Sequence, residues 1–171
     1  MAVVSISRFH TAAAGAAFLV AGVLLVVMLV VESASVHVFF SWPTVLAYLA
    51  IGIGFAILAT GSVSNLAARA VLLIGAVGWV LLAVQTVARL PLGLNTLAWI
   101  LAVVGGIAGA VLLLTARLVA RRAATAFLAT TVAVTLQWLL LFSAIAVPLA
   151  AIVAVGFLVT GALLVATPRT P

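Results

Sequence analysis

Residues 12–31 read AAAGAAFLVAGVLLVVMLVV, twenty positions without a charge or a polar side chain. An α-helix rises about 1.5 Å per residue, so this run spans about 30 Å, the thickness of a bilayer's hydrocarbon core. Arg8 precedes it and Ser33-Ala34-Ser35 follows it, which mimics a secretory signal with its cleavage site. The apolar stretch of such a signal is only about 7–15 residues long. The run is therefore expected to stay in the protein as a first membrane span.

Working outward, five further apolar segments have a comparable length: residues 43–60, 69–89, 96–115, 123–142 and 148–167. Strict alternation of polar and apolar residues, the mark of a membrane β-barrel, is absent. The sequence thus predicts an all-α integral membrane bundle of six transmembrane helices, built as three helical hairpins in a single domain. Short connections make sequence neighbours antiparallel. The seven basic residues, all arginine, fix the expected orientation. With the N-terminus in the cytoplasm, Arg8, Arg69, Arg117, Arg121, Arg122 and Arg169 fall inside and Arg89 alone falls outside. Cytoplasmic loops concentrate basic residues in this way. Both termini are expected on the cytoplasmic side of a plasma (inner) membrane. Pro43, Pro91 and Pro148 lie at the starts of the even spans, where a missing N–H costs nothing. Trp42, Trp99 and Trp138 lie near the same side and are expected as interfacial anchors.

Composition narrows the function. The chain is 69% hydrophobic and 5% charged, against about 25% charged in soluble domains. Its partner is the lipid bilayer. The net charge of +6 is carried by scattered arginines, not by a basic stripe of the kind that follows a phosphate backbone, so no nucleic acid is expected. Lysine and cysteine are absent, which excludes Schiff-base chemistry, disulfides and thiolate-bound metals. Glu32 is the only carboxylate, so paired-carboxylate catalysis is excluded as well. His10 and His37 are placed on opposite sides of the membrane and cannot share a metal ion. His37 is expected in the first outer loop, and histidine as a residue type changes charge near neutral to mildly acid pH, which makes it a candidate pH sensor. No cofactor and no enzymatic activity are expected.

The remaining polar residues define the candidate sites. Glu32 and Arg89 are the sole outer charges of their signs and are expected to pair. Gln85 and Gln137 each lie 16 residues after an inner arginine, Arg69 or Arg121. An amide at that depth should turn toward protein, giving a shared polar intramembrane site. Gly105 and Gly109 form a GxxxG pattern that lets helix backbones approach closely. It serves packing inside the bundle or, alternatively, a seam with a homo-oligomer or another membrane-complex partner. Thr125, Thr130, Thr131 and Thr135 on the fifth span can bond back to their own helix.

An internal repeat is also legible. Residues 97–117 match residues 149–169 at ten of 21 positions, at an offset of 52 that also aligns Arg69 with Arg121 and Gln85 with Gln137. Spans 3–4 and 5–6 read as two copies of one hairpin, with spans 1–2 a diverged third. In outline the hairpin is an arginine, an apolar helix, a proline at the outer turn, a glycine-bearing helix and a closing arginine. Arg69, Gly75, Pro91, Gly109 and Arg117 supply this in one copy; Arg122, Pro148, Gly161 and Arg169 supply it in the next. This outline resembles the short-repeat membrane proteins of the HdeD type. The resemblance implies a six-span protein of an acid-stress-associated family and carries over no catalytic residue. A small non-enzymatic membrane protein, stress-associated, is the expected function. The rival is a small-solute transporter or a substrate-binding subunit of a membrane transport complex.

Overall fold

The computed structural model describes residues 6–34, 42–62, 65–88, 91–140 and 145–166. It contains six helices: α1 (Arg8–Ala34), α2 (Trp42–Gly61), α3 (Leu66–Ala88), α4 (Leu92–Thr115), α5 (Arg121–Leu139) and α6 (Ala146–Val165). No strand occurs among the described residues. Local chemistry sets several ends. Ser7 Oγ accepts the His10 N–H at 3.4 Å to start α1, and Asn65 Oδ1 accepts the Ala68 N–H at 3.0 Å to start α3. Each occupies one of the four donors a helix start leaves over. Pro91 caps α4. After α4, Arg117 takes a left-handed conformation at φ 53°, and Leu118 N–H reaches back to Leu113 O at 3.1 Å. This is a Schellman stop with arginine in the place glycine usually holds.

Each helix packs on its neighbour in sequence, and α6 returns to pack on α1, so the six form a closed ring. Neighbours are antiparallel. All described arginines therefore lie at one end of the ring, here the arginine end. There Ile6 N–H donates to Leu118 O at 2.9 Å, tying the segment before α1 to the turn after α4. Two seams are close enough to exclude side chains. A methyl group placed on Gly105 would fall on the backbone N and Cα of Gly75, and one on Gly78 would fall on the backbone of Ala102, so α3 and α4 meet backbone to backbone. Gly15 and Gly161 do the same between α1 and α6, each 2.7 Å from the other's carbonyl oxygen in that test.

Side chains sort against the pattern of a soluble protein. Valine, leucine and isoleucine point outward on every helix, with Val20, Val23, Ile53, Val77, Val104, Val132 and Val155 among the exposed ones. The interior is filled by alanine, glycine, threonine and phenylalanine together with a smaller set of aliphatic side chains such as Ile51, Leu58, Leu72 and Leu113. A soluble monomer seldom exposes an apolar patch of more than a few hundred Å², whereas lipid solvates such a face. Among the described residues, five helices are long and apolar enough to cross a membrane. The exception is α5, whose 19 residues begin with Arg121 and Arg122 and include four threonines and Gln137. Its expected span reached residue 142, and residues 141–144 are outside the described set. The repeat stays a relation of sequence. The matched glycines face different neighbours, Gly109 toward Leu72 of α3 and Gly161 toward Gly15 of α1.

The centre of the ring is plugged by Phe18, Phe55, Phe127 and Phe157, all but fully buried. Phe18 stands 6.0 Å from Phe55, 5.4 Å from Phe127 and 5.8 Å from Phe157, and Phe55 stands 5.1 Å from Phe127, all between ring centroids. Such spacing falls in the range where aromatic rings attract beyond simple burial. The plug fits because α3 and α4 present glycines to it: Phe55 packs on Gly75 and lies 3.7 Å from the methyl position of Gly106.

Candidate ligand site

Beyond the phenylalanine plug, away from the arginine end, the interior opens into a cavity of about 30 Å³. All six helices contribute to its wall, through Met28, Tyr48, Trp79, Trp99, Gln137 and Ala150. Three of these rings form a cage. Tyr48 lies 5.4 Å from Trp79 and 6.5 Å from Trp99, and Trp79 lies 6.2 Å from Trp99 at a steep 65°. Trp138 stacks on the far side of Trp99 at 6.2 Å and 22°. Trp79 also leans edge-on against Phe157 of the plug at 6.1 Å, so the plug is the floor of the cage.

Trp79 is the focus of the site. It is 3% exposed, and its indole N–H meets no hydrogen-bond acceptor among the described residues. Among the described residues the buried hydroxyls of Thr11, Ser62, Thr130, Thr131 and Thr160 are all satisfied, which makes the contrast informative. Thr11 donates to Arg8 O, Ser62 to Leu58 O, Thr130 to Ala126 O and Thr131 to Leu128 O, at 2.8–2.9 Å. Thr160 bonds to Thr130 at 3.2 Å and so joins α6 to α5. A buried donor without a partner costs about 1–3 kcal/mol.

The structure places the sequence-derived candidates unevenly. Gln137 is half-buried and lines the cavity. Gln85 is also half-buried, with its Oε1 shielded from solvent. It lies six residues past Trp79, about 9 Å farther along α3, and does not line the cavity. Gly105 and Gly109 both face α3, inside the bundle. Trp42, at the first position of α2, is 67% exposed as an anchor would be. Trp99 is half-buried and lines the cavity, and Trp138, also half-buried, stacks on it. Thr125, Thr130, Thr131 and Thr135 each bond a carbonyl of α5 itself. His10 sits at the arginine end with Nδ1 2.6 Å from Ser7 Oγ. Arg89 and His37 lie outside the described residues, and with them the Glu32–Arg89 pair. No group of three metal-ligating side chains occurs among the described residues.

Tyr48 and Trp79 were not singled out in the sequence. Trp79 carried a usable signal. It is the one tryptophan in the middle of an apolar run, where its N–H has no water to turn to. Comparison with known protein families, with characterised proteins and with solved structures finds no match to this chain.

Proposed function

We propose that this chain is a non-enzymatic membrane protein with six spans, α5 included, that binds a small neutral solute in the aromatic cage. The observation that carries the reading is the buried Trp79 N–H without an acceptor, at a cavity to which every helix contributes. The ligand class follows from the wall. No charged residue lines the cavity among the described residues, and an ion there would be costly to desolvate. A hydrogen-bond acceptor with a small apolar body suits the indole donor, the Gln137 amide and the ring faces. The cavity as it stands has room for about two water-sized groups. Binding is favoured over conduction because four phenylalanines fill the ring between the cage and the arginine end. Within the rival reading of the sequence, the substrate-binding subunit is thus preferred to the transporter. The resemblance to HdeD-type proteins supplies a stress-associated setting, and the offset-52 repeat supports descent from one duplicated hairpin.

The test uses the full chain in lipid nanodiscs and a panel of acetamide, acetone and short n-alcohols. At least one compound is expected to raise the melting temperature and to change tryptophan emission. Trp79→Phe, which keeps an aromatic ring and removes the donor, should abolish the rise in melting temperature. A panel without effect on the natural protein, or with equal effect on Trp79→Phe, sinks the reading. The orientation is tested separately by reporter fusions. Those after Thr60 and Thr115 should report cytoplasm, and those after Val36 and Pro91 the exterior, following the arginine distribution. One inverted result among them refutes the six-span, N-in arrangement.

A further inference from the structure

Among the described residues, the arginine end holds five exposed guanidinium groups, on Arg8, Arg69, Arg117, Arg121 and Arg122. The one carboxylate of the sequence, Glu32, is near the opposite end of α1. No acidic side chain is therefore within reach to neutralise them. Two of the five, Arg121 and Arg122, head a shallow open groove that continues along the outer face of α5 over Thr125, Ala126 and Ala129. The floor of that groove is apolar. Ala126 and Ala129 offer only methyl groups. The Thr125 hydroxyl is turned back to Arg121 O at 2.9 Å, which leaves its methyl for the groove. This helix is also the one whose composition suits bare hydrocarbon least.

The geometry points to an anionic phospholipid as the occupant, its phosphate between Arg121 and Arg122 and one acyl chain laid along Thr125–Ala129. Charge and shape each select it. A guanidinium pair matches a phosphate better than a zwitterionic headgroup whose choline would be repelled. A groove floored by methyl groups takes an acyl chain, which a free phosphate or a nucleic acid lacks. Each basic residue near an anionic membrane surface contributes about 1 kcal/mol, about fivefold in binding. Two of them predict a preference of about 25-fold for phosphatidylglycerol over phosphatidylcholine of the same chains.

The experiment is native mass spectrometry of the full chain in mild detergent, titrated with each lipid and, separately, with glycerol 3-phosphate. One tightly held phosphatidylglycerol is expected, with the preference lost in Arg121→Gln/Arg122→Gln and weakened in Ala129→Phe, which fills the groove. Arg8→Gln/Arg69→Gln carries the same change in net charge and should keep the preference. Retention of the preference in Arg121→Gln/Arg122→Gln overturns the inference. Equal loss in Arg8→Gln/Arg69→Gln overturns it too, since net charge alone would then explain the binding. Competition by glycerol 3-phosphate as strong as by intact lipid would reduce the site to a free-anion site and remove the acyl groove. Melting temperatures of the variants near that of the natural protein establish that each is folded.

Discussion

Replacing Gly105 with leucine is expected to pull α3 and α4 apart and to cost about 3 kcal/mol or more, at the upper end of overpacking penalties. The reason is what the new side chain meets. Even a single methyl at Gly105 would land on the backbone N and Cα of Gly75, with Val71 O 3.0 Å away. A side chain in the way can change rotamer; a helix backbone can only move as a body. Because helices in lipid associate by close packing of small residues and not by escape from water, separation of this seam has nothing to compensate it. The measurement is resistance to denaturation in bicelles, read from tryptophan emission. Gly93→Ala is the control, since no atom lies within 4 Å of the methyl it would add. It should leave stability unchanged. A Gly105→Leu protein as stable as the natural one would show that the seam is not backbone to backbone.

Phe18→Ala is the second large effect expected. Phe18 has no exposed surface and touches three other phenylalanines of the plug, on α2, α5 and α6. Truncating a buried phenylalanine costs about 3–5 kcal/mol, part of it from the void left behind. The void would adjoin Phe55, Phe127 and Phe157 and be lined by carbon, so it should stay dry and accept an apolar guest. Benzene is therefore expected to restore part of the lost melting temperature in Phe18→Ala and to leave the natural protein unaffected. Absence of any rescue by benzene would mean that the ring closes around the gap, and that the plug is not what separates the cage from the arginine end.

Much of this architecture was readable in the sequence because its signals are one-dimensional. A helix needs a length and an apolar composition to suit a bilayer, and the six expected segments each contain or overlap one of the six helices to within a few residues at most ends. The glycine spacing on α4 likewise marked a face made for close approach. The candidate site was legible only in part. Gln137 was singled out as an amide that should turn inward, and it lines the cavity. Tyr48 is not legible there, because an aromatic residue in an apolar run carries no label of its own; Trp79 is marked only by its N–H, which has no water to turn to in mid-span. Gln85, matched to Gln137 at the same offset, does not share the cavity, because the matched hairpins do not present equivalent residues to the same neighbours.

What the sequence determined by itself is the class of solvent and the count of elements. Hydropathy, helix length and arginine placement act locally or along the membrane normal, and each can be read without knowing which helix stands beside which. Only the tertiary structure decided that α6 closes on α1. That closure brings four phenylalanines from four helices to one point, and it gathers Tyr48, Trp79, Trp99 and Gln137 from as many helices around one small cavity. In a bundle whose surface is as apolar as its core, hydrophobicity cannot say which face of a helix turns inward. That choice falls to the fit of glycine against backbone and of ring against ring, a property of pairs of helices that neither sequence contains alone.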